Sequence, residues 1–491
     1  MASTARNILT PLKASPTPEA GVGEAAVPWG FPEIFIISQT FFPALLLLPG
    51  AQDFRLPLRI APFAFSLLGL FWCIGKSKGR APHPAAHWLI AALGWLALMI
   101  LHPTTNSTMA GMAQTMLYLA VLAPVFWAAV LVRDPRQLMR LLVIFLVCNG
   151  INSLVGILQV YDPGTWMPAE FSSVQRAMRH GMSTTTYIDR AGNVAIRPPG
   201  LSDTPGAVCV AGMAAGLMGL AFSLRKMSWI KRALAFAATG IGCAIVYLSQ
   251  VRTSLLILIG MIVVYVAIVG LLQKHRSTAI SALVIGTAVL LGAFWTSVPL
   301  AGSAVSTRLE TLRQGDPLSV YYQAGRGGQM ESAVTVLVPT YPLGAGLGRW
   351  GMMRLYFGDD ANADAPQIWA ELQIPAWVLD GGVVLLLCYG IALLLTSLKE
   401  IDIAWRAVTA DMQFCSSLIV AANLGVVAII FGYTPFTSPM GIQYWFLAGA
   451  LFGVANETGL IRNERLRSGK RRLFGLGRHG SGELRTGPLS S

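Results

Sequence analysis

Charge is scarce in this chain: only 12% of its 491 residues are Asp, Glu, Lys or Arg. Soluble globular domains carry about 25%. Half that share, with 54% hydrophobic residues, excludes an ordinary soluble fold. Cysteine is equally uninformative as chemistry. The six cysteines (Cys73, Cys148, Cys209, Cys243, Cys388 and Cys415) all sit in apolar segments without CxxC spacing, which suits buried small hydrophobes rather than disulfides or metal ligands. None of the six histidines (His83, His87, His102, His180, His275 and His479) has ligand spacing with another outer histidine, cysteine or carboxylate, so neither metal nor cofactor is expected. The first 30 residues lack the short apolar core and cleavage site of a signal peptide; they read as a disordered tail.

What the chain does have is long apolar runs. A helix needs about 20 residues to cross the ~30 Å hydrocarbon core. Twelve segments meet that need, near 31–49, 57–75, 86–102, 111–132, 138–160, 203–223, 229–249, 254–273, 278–297, 374–397, 413–432 and 438–456. The expected fold is an all-α polytopic membrane protein of about twelve spans over 31–456, with a tail at 1–30 and a basic tail at 457–491. With the N-terminus inside, the inner connections hold 24 of the 36 Lys and Arg residues. The positive-inside rule then places both termini in the cytoplasm. The tail "RNERLRSGKRR" serves as a topology signal or lies on anionic headgroups.

A second asymmetry concerns which cation is used. On that topology all eight lysines face inward, and all twelve outer cations are arginine, among them Arg55, Arg59, Arg197, Arg252, Arg326, Arg349 and Arg354. The chain prefers Arg in general, but a guanidinium also grips phosphate through two parallel hydrogen bonds and keeps its charge. Two outer connections are long, about 161–202 and 298–373. Their Arg, Gly, Pro and aromatic content reads as ordered and functional.

Four stretches carry candidate chemistry. In "IRPPGLSDTPG", the two prolines stiffen the backbone after Arg197, and Ser202, Asp203 and Thr204 read as a helix N-cap with Pro205 in the first turn. In "YLSQVRTSLLILIG", two spans meet with almost no loop and Arg252 sits at a turn that is polar throughout. Such an arginine either snorkels to headgroups or faces a cavity and binds an anion. In "RGGQMESAVTVLVPTYPLGAGLGRWG", Arg326 opens a short helix that Pro339 stops. Gly344, Gly346 and Gly348 follow, which let a backbone approach a ligand closely, and Arg349 comes next. The GxGxG spacing has no preceding strand and no following Lys-Ser/Thr, which argues against a nucleotide loop. In "APQIWAELQIPAWVLDGG", Glu371 and Asp380 lead into the tenth span. Each is a general base or an ion-pair partner for an outer arginine. The run "GDDANAD" reads as a solvated turn.

These pieces, in this order over roughly 195–395, resemble the O-antigen ligase / O-antigen polymerase superfamily of bacterial inner-membrane glycosyltransferases. The motifs that carry the resemblance are "SQVRTSLL", "RGGQ", "PLGAGLGRW" and "IWAELQIPAWVLDGGVVLLL". It implies a GT-C-like fold in the inner membrane with periplasmic loops. A glycan on undecaprenyl diphosphate would be moved to an acceptor hydroxyl with inversion and without metal. Arg252 and Arg326 match the family's two diphosphate-holding arginines; Arg197 and Arg349 would support them, and Gly344 and Gly346 would leave room for substrate. The family's histidine falls at Ala370, and no histidine occurs between His275 and His479; Glu371 is the adjacent candidate base. That departure favours the polymerase branch over the ligase. The implied partners are the lipid-linked oligosaccharide, membrane lipids and other polysaccharide assembly proteins; no nucleic-acid partner is expected. An anion or lipid-linked-glycan transporter and a non-catalytic scaffold are the competing readings. Transporters usually show internal repeats and broken helices; against transport stand the lack of similarity between 31–223 and 229–456 and the lack of mid-membrane carboxylates.

Overall fold

The structure is a computed structural model that describes residues 28–74 apart from residue 49, 81–167, 186–188, 194–301 apart from residues 203 and 205, and 326–461. The two expected tails lie almost wholly outside these residues. The fold is built of α-helices: α1 Phe31–Leu45, α2 Arg55–Cys73, α3 Ala86–Met99, α4 Thr108–Leu131, α5 Pro135–Tyr161, α6 Val208–Ser223, α7 Trp229–Leu248, α8 Arg252–Ala267, α9 Arg276–Ala301, α10 Arg326–Ser332, α11 Gly351–Phe357, α12 Gln373–Arg406, α13 Ala410–Ile429 and α14 Pro439–Glu457. A helix occupies each of the twelve expected apolar segments. Eight are long and apolar enough to cross a bilayer: α2, α4, α5, α7, α8 with its extension to Leu272, α9, α12 and α13. Helices α1, α3 and α6 are apolar but shorter. The chain is a multi-pass α-helical membrane protein.

The helix starts follow local chemistry. Ser107 accepts from the Ala110 amide at 3.0 Å, and Asp134 from the Arg136 amide at 2.8 Å with Pro135 in the first turn. Thr409 and Ser438 cap α13 and α14 in the same way. Each cap satisfies one of the amides that a helix start leaves open. The expected cap at Ser202 to Thr204 is not used. Helix α6 begins at Val208 after an uncapped Ala207, and the Ser202 hydroxyl serves the preceding turn through Pro199 O and the Thr204 amide. Asp203 and Pro205 lie outside the described residues.

Helix α14 is buried along most of its length and packs on α4. The stacked Trp377, Tyr389 and Phe436 rings, with Tyr444 and Trp445 against Phe436, close the centre. The expected long connections carry structure of their own. The first holds one helical turn at Pro163–Trp166 and an antiparallel hairpin of β1 Thr186–Ile188 with β2 Val194–Ile196. In the second, α10 continues through a π turn, Ala333–Leu337, to Thr340, so Pro339 sits inside the last turn rather than stopping the helix ahead of itself.

Helix α12 is broken. Gly381 and Gly382 leave the helical region, Gly382 at φ +63° and ψ −154°, a combination open essentially to glycine alone. The freed backbone groups are taken up by neighbours. Trp95 Nε1 donates to Gly381 O at 2.7 Å. The Ala345 amide donates to Leu379 O at 2.7 Å, and the Val383 amide to Pro342 O at 2.9 Å. Thus the 342–345 strip is laced into the helix break.

Candidate functional site

The α7–α8 corner is the starting point. Only Ser249, Gln250 and Val251 separate the two helices. Gln250 pays for that tightness with φ +58°, a conformation that costs a residue with a Cβ about 1–2 kcal/mol. Arg252 is the first residue of α8 and is half-buried. Its neighbour Ser254 is buried and hydrogen-bonds the Cys209 thiol in the first turn of α6.

Arg326, the first residue of α10, reaches this corner from 74 positions further along the chain. Its charge acts on Cys209. A Cβ built on Gly432 would lie 3.2 Å from Arg326 Nη1 and 3.1 Å from Thr253 Cγ2. Arg326 and the residue that adjoins Arg252 therefore face one glycine. The Arg197 segment joins from a third side. Pro198, Pro199 and Gly200 are buried, held on α5 by Gln159, which bonds both the amide and the carbonyl of Gly200 at 2.8 and 3.0 Å. Asn152 holds Leu201 at 2.7 Å. A Cβ on Gly206 would lie 3.7 Å from Val251, the residue before Arg252.

Glu371 comes in through α10. It is exposed and accepts from Gln329 Nε2 and Trp369 Nε1, both at 3.2 Å. Gln329 lies three residues after Arg326, hence on the same helical face. These neutral donors stand where an ion pair was one of the two expectations. The start of α12 is tied to the α13–α14 connection through the Gln373 amide to Ile430 O at 3.3 Å and the Phe436 amide to Gln373 Oε1 at 2.8 Å. That tie brings Glu371 and Gly432 to the same end of the bundle. Tyr433 follows Gly432. Its exposed side chain lies within electrostatic reach of Cys209 and of the Arg59 guanidinium. Arg59 also donates to Met352 Sδ at 3.2 Å. It was counted among the outer cations by sequence but not singled out, because nothing local in "FRLPLRIAP" marks it.

Three other expected site residues are engaged elsewhere. Gly344 and Gly346 are buried, but protein fills the space their missing side chains leave. A Cβ on Gly344 would meet Met99 Cε at 2.8 Å and Gly381 Cα at 3.0 Å, and one on Gly346 would meet the Thr104–Thr105 backbone. These glycines admit neighbouring backbone, not a ligand. Arg349 is buried, with Nε on Pro366 O at 3.1 Å and Nη1 on Ala345 O at 2.7 Å. Its donors brace the second connection. Together with burial, its charge lowers the His102 imidazole below its usual range. In "GDDANAD", Asp359 and Asn362 bond Asn106 and Asp360 pairs with Arg354 at 3.0 Å, so the turn is anchored to the α3–α4 connection.

Two carboxylates of α12 are buried, Asp380, which the sequence had singled out, and Glu400, which it had not. Asp380, just before the α12 break, accepts from Tyr118 Oη at 2.7 Å, Gln114 Nε2 at 3.1 Å and Trp350 Nε1 at 2.7 Å. It binds α4 and the second connection together through neutral donors, where an outer arginine was the expected partner or a base role the alternative. Glu400 is 2% exposed. The expected tenth span ends at 397, but α12 runs on to Arg406 and carries Glu400 into the bundle. Among the described residues, no group of three or more His, Cys, Asp or Glu side chains is placed to hold a metal ion. No protein-family model matches the chain, and no curated protein matches it.

Proposed function

We propose that the protein is an inner-membrane glycosyltransferase that polymerises or transfers oligosaccharide units from undecaprenyl diphosphate at the periplasmic face. The supporting observation is the meeting of Arg326 with the α7–α8 corner: Arg326 Nη1 and Thr253 flank Gly432, and Arg252 is the next residue. In a twelve-span chain with cytoplasmic termini this end faces the periplasm. Two guanidiniums at the edge of the hydrocarbon neutralise a diphosphate far better than they would in water, and leaving-group charge is what develops as the glycan departs. Arg197 and Arg59 border the same end. Glu371, carried beside α10 by Gln329, is the base for the acceptor hydroxyl.

Replacing Arg252 or Arg326 by alanine is expected to cut polymer formation by about a hundredfold or more, with insertion intact. Normal glycan gels from both variants would refute the reading. Glu371→Gln should lower turnover about a hundredfold if it is the base. A deletion strain separates the branches: single units left on lipid mark a polymerase, and full chains never joined to lipid A core mark an O-antigen ligase.

Transport of an anion or of the lipid-linked glycan is the second reading. One argument against it is weakened, since Glu400 is buried in the bundle, and α12 is broken at Gly381–Gly382. The break, however, is closed by Trp95 and the 342–345 strip rather than lining an open path. Uptake of a labelled anion into proteoliposomes, without chemical change, would favour transport.

A further inference from the structure

The arm that leads out of α10 is exposed and carries no charge. Between Glu331 and Arg349 the sequence holds no Asp, Glu, Lys or Arg. Of residues 333–343 only Ala333 is buried. Val334, Val336 and Leu343 are 63%, 53% and 54% exposed, and a run of large apolar side chains held open in this way marks a surface that something other than water covers. The threonine hydroxyls are closed within the arm: Thr335 bonds back to Glu331 O at 2.8 Å and Thr340 to Val336 O at 2.7 Å. The Tyr341 amide donates to Leu337 O at 2.8 Å, while Pro339 and Pro342 have no amide hydrogen to satisfy. Water would supply these partners to an exposed segment; hydrocarbon supplies none, so a segment that meets it must close its own polar groups.

The depth of the arm's far end follows from α4. That helix has 24 residues, about 36 Å at 1.5 Å per residue. To cross a hydrocarbon core of ~30 Å it can leave only about 6 Å clear at either end. Gln114 and Tyr118, which hold Asp380, lie about 9 and 15 Å from its first residue, below the edge of the core. The α12 break follows Asp380 directly, and the Ala345 amide to Leu379 O and the Val383 amide to Pro342 O fix residues 342–345 at that depth. The near end of the arm is at the water side, where Gln329 bonds exposed Glu371. The arm packs on α12, a spanning helix whose Leu387 and Leu394 are exposed, so it adjoins an element that already meets lipid. We infer that residues 333–343 form a re-entrant arm lying among the acyl chains of the leaflet on the Arg326 side, with lipid as its partner. This does not rest on the glycosyltransferase reading, since it follows from exposure, polar closure and depth.

The test is fluorescence quenching of the full chain in phosphatidylcholine nanodiscs. A bimane is attached at Val334→Cys or Leu343→Cys, with Leu394→Cys on α12 as the lipid reference and exposed Glu371→Cys as the aqueous one. The native cysteines are buried or half-buried, so the label goes to the introduced thiol. An interfacial helix lies about 5–10 Å into the headgroup–acyl boundary, so a nitroxide near the top of the acyl chain is the lipid quencher and iodide the aqueous one. Nitroxide quenching at 334 and 343 is expected to reach about half or more of that at 394 and about threefold that at 371, with iodide in the reverse order. Val336→Cys decides the matter if Val334→Cys or Leu343→Cys fails to fold. Iodide quenching at the arm equal to that at 371, with little from the nitroxide, would make the arm a wet surface and overturn the proposal. Protection from both quenchers would mean that protein covers it, a second copy included, and overturns it equally.

Discussion

His83 shows how one residue sets a pH limit. It lies in the turn before α3, with Nδ1 accepting from the Ala85 amide at 3.3 Å and the ring edge-on to Phe452 at 5.0 Å. Burial pushes its imidazole from 6.5 down to about 3. The folded state therefore keeps it neutral while the unfolded chain protonates below 6.5. Stability from this group is complete above pH 6.5 and falls by about 1.4 kcal/mol per unit as pH drops toward 3. Between pH 7 and 5 the wild type should lose about 2 kcal/mol, and His83→Asn should show a flatter midpoint against pH. His102, lowered for a related reason, acts in the same direction. An equal slope in wild type and His83→Asn would locate the titration elsewhere. None of this is readable from "APHPAAHW", because the burial is tertiary and sets the ring against Phe452, hundreds of residues away.

The broken α12 governs how the second connection is held. Gly382 combines a glycine-only backbone with contact to Pro342 O and to Leu343 Cα, 2.6 Å from where a Cβ would sit. Gly382→Ala should cost about 3 kcal/mol or more, from strain and overpacking together. Gly390→Ala, later in the same helix with nothing within 4 Å, should be neutral or slightly stabilising. Comparing the two midpoints tests whether the break is obligatory. Trp350→Phe removes one donor from buried Asp380 and should cost about 1–3 kcal/mol. Sequence alone showed Asp380, two glycines and a GxGxG strip as separate features. That these glycines receive each other's backbone, and that Arg349 braces Ala345 and Pro366, depends on a pairing between residues 342–349 and 379–383 that no local pattern encodes.

For the whole molecule, twelve crossings, nine before the α10–α12 connection and three after it, would put both termini on one side and that connection on the other. Of the native cysteines, five are buried and Cys148 is half-buried, so an exposed Glu371→Cys should take up a membrane-impermeant maleimide in right-side-out vesicles, against a low background. Labelling only from the cytoplasmic side would reverse the topology and move the arginine end off the periplasm. The apolar segments were legible because hydrocarbon offers no hydrogen bonds, so each crossing segment must close its own backbone as a helix, a constraint met within about 20 residues of sequence. The choice of arginine over lysine at candidate outer positions was legible for the same reason: it is composition, read segment by segment. Tertiary structure alone decided what those segments meet. It placed Arg326 beside Thr253, took Gly344, Gly346 and Arg349 into packing, and drew Asp380 and Glu400 inside. Burial and partnership arise between helices distant in sequence, and helix–helix contacts in lipid are chosen by shape and polar matching rather than by the hydropathy that makes each helix form.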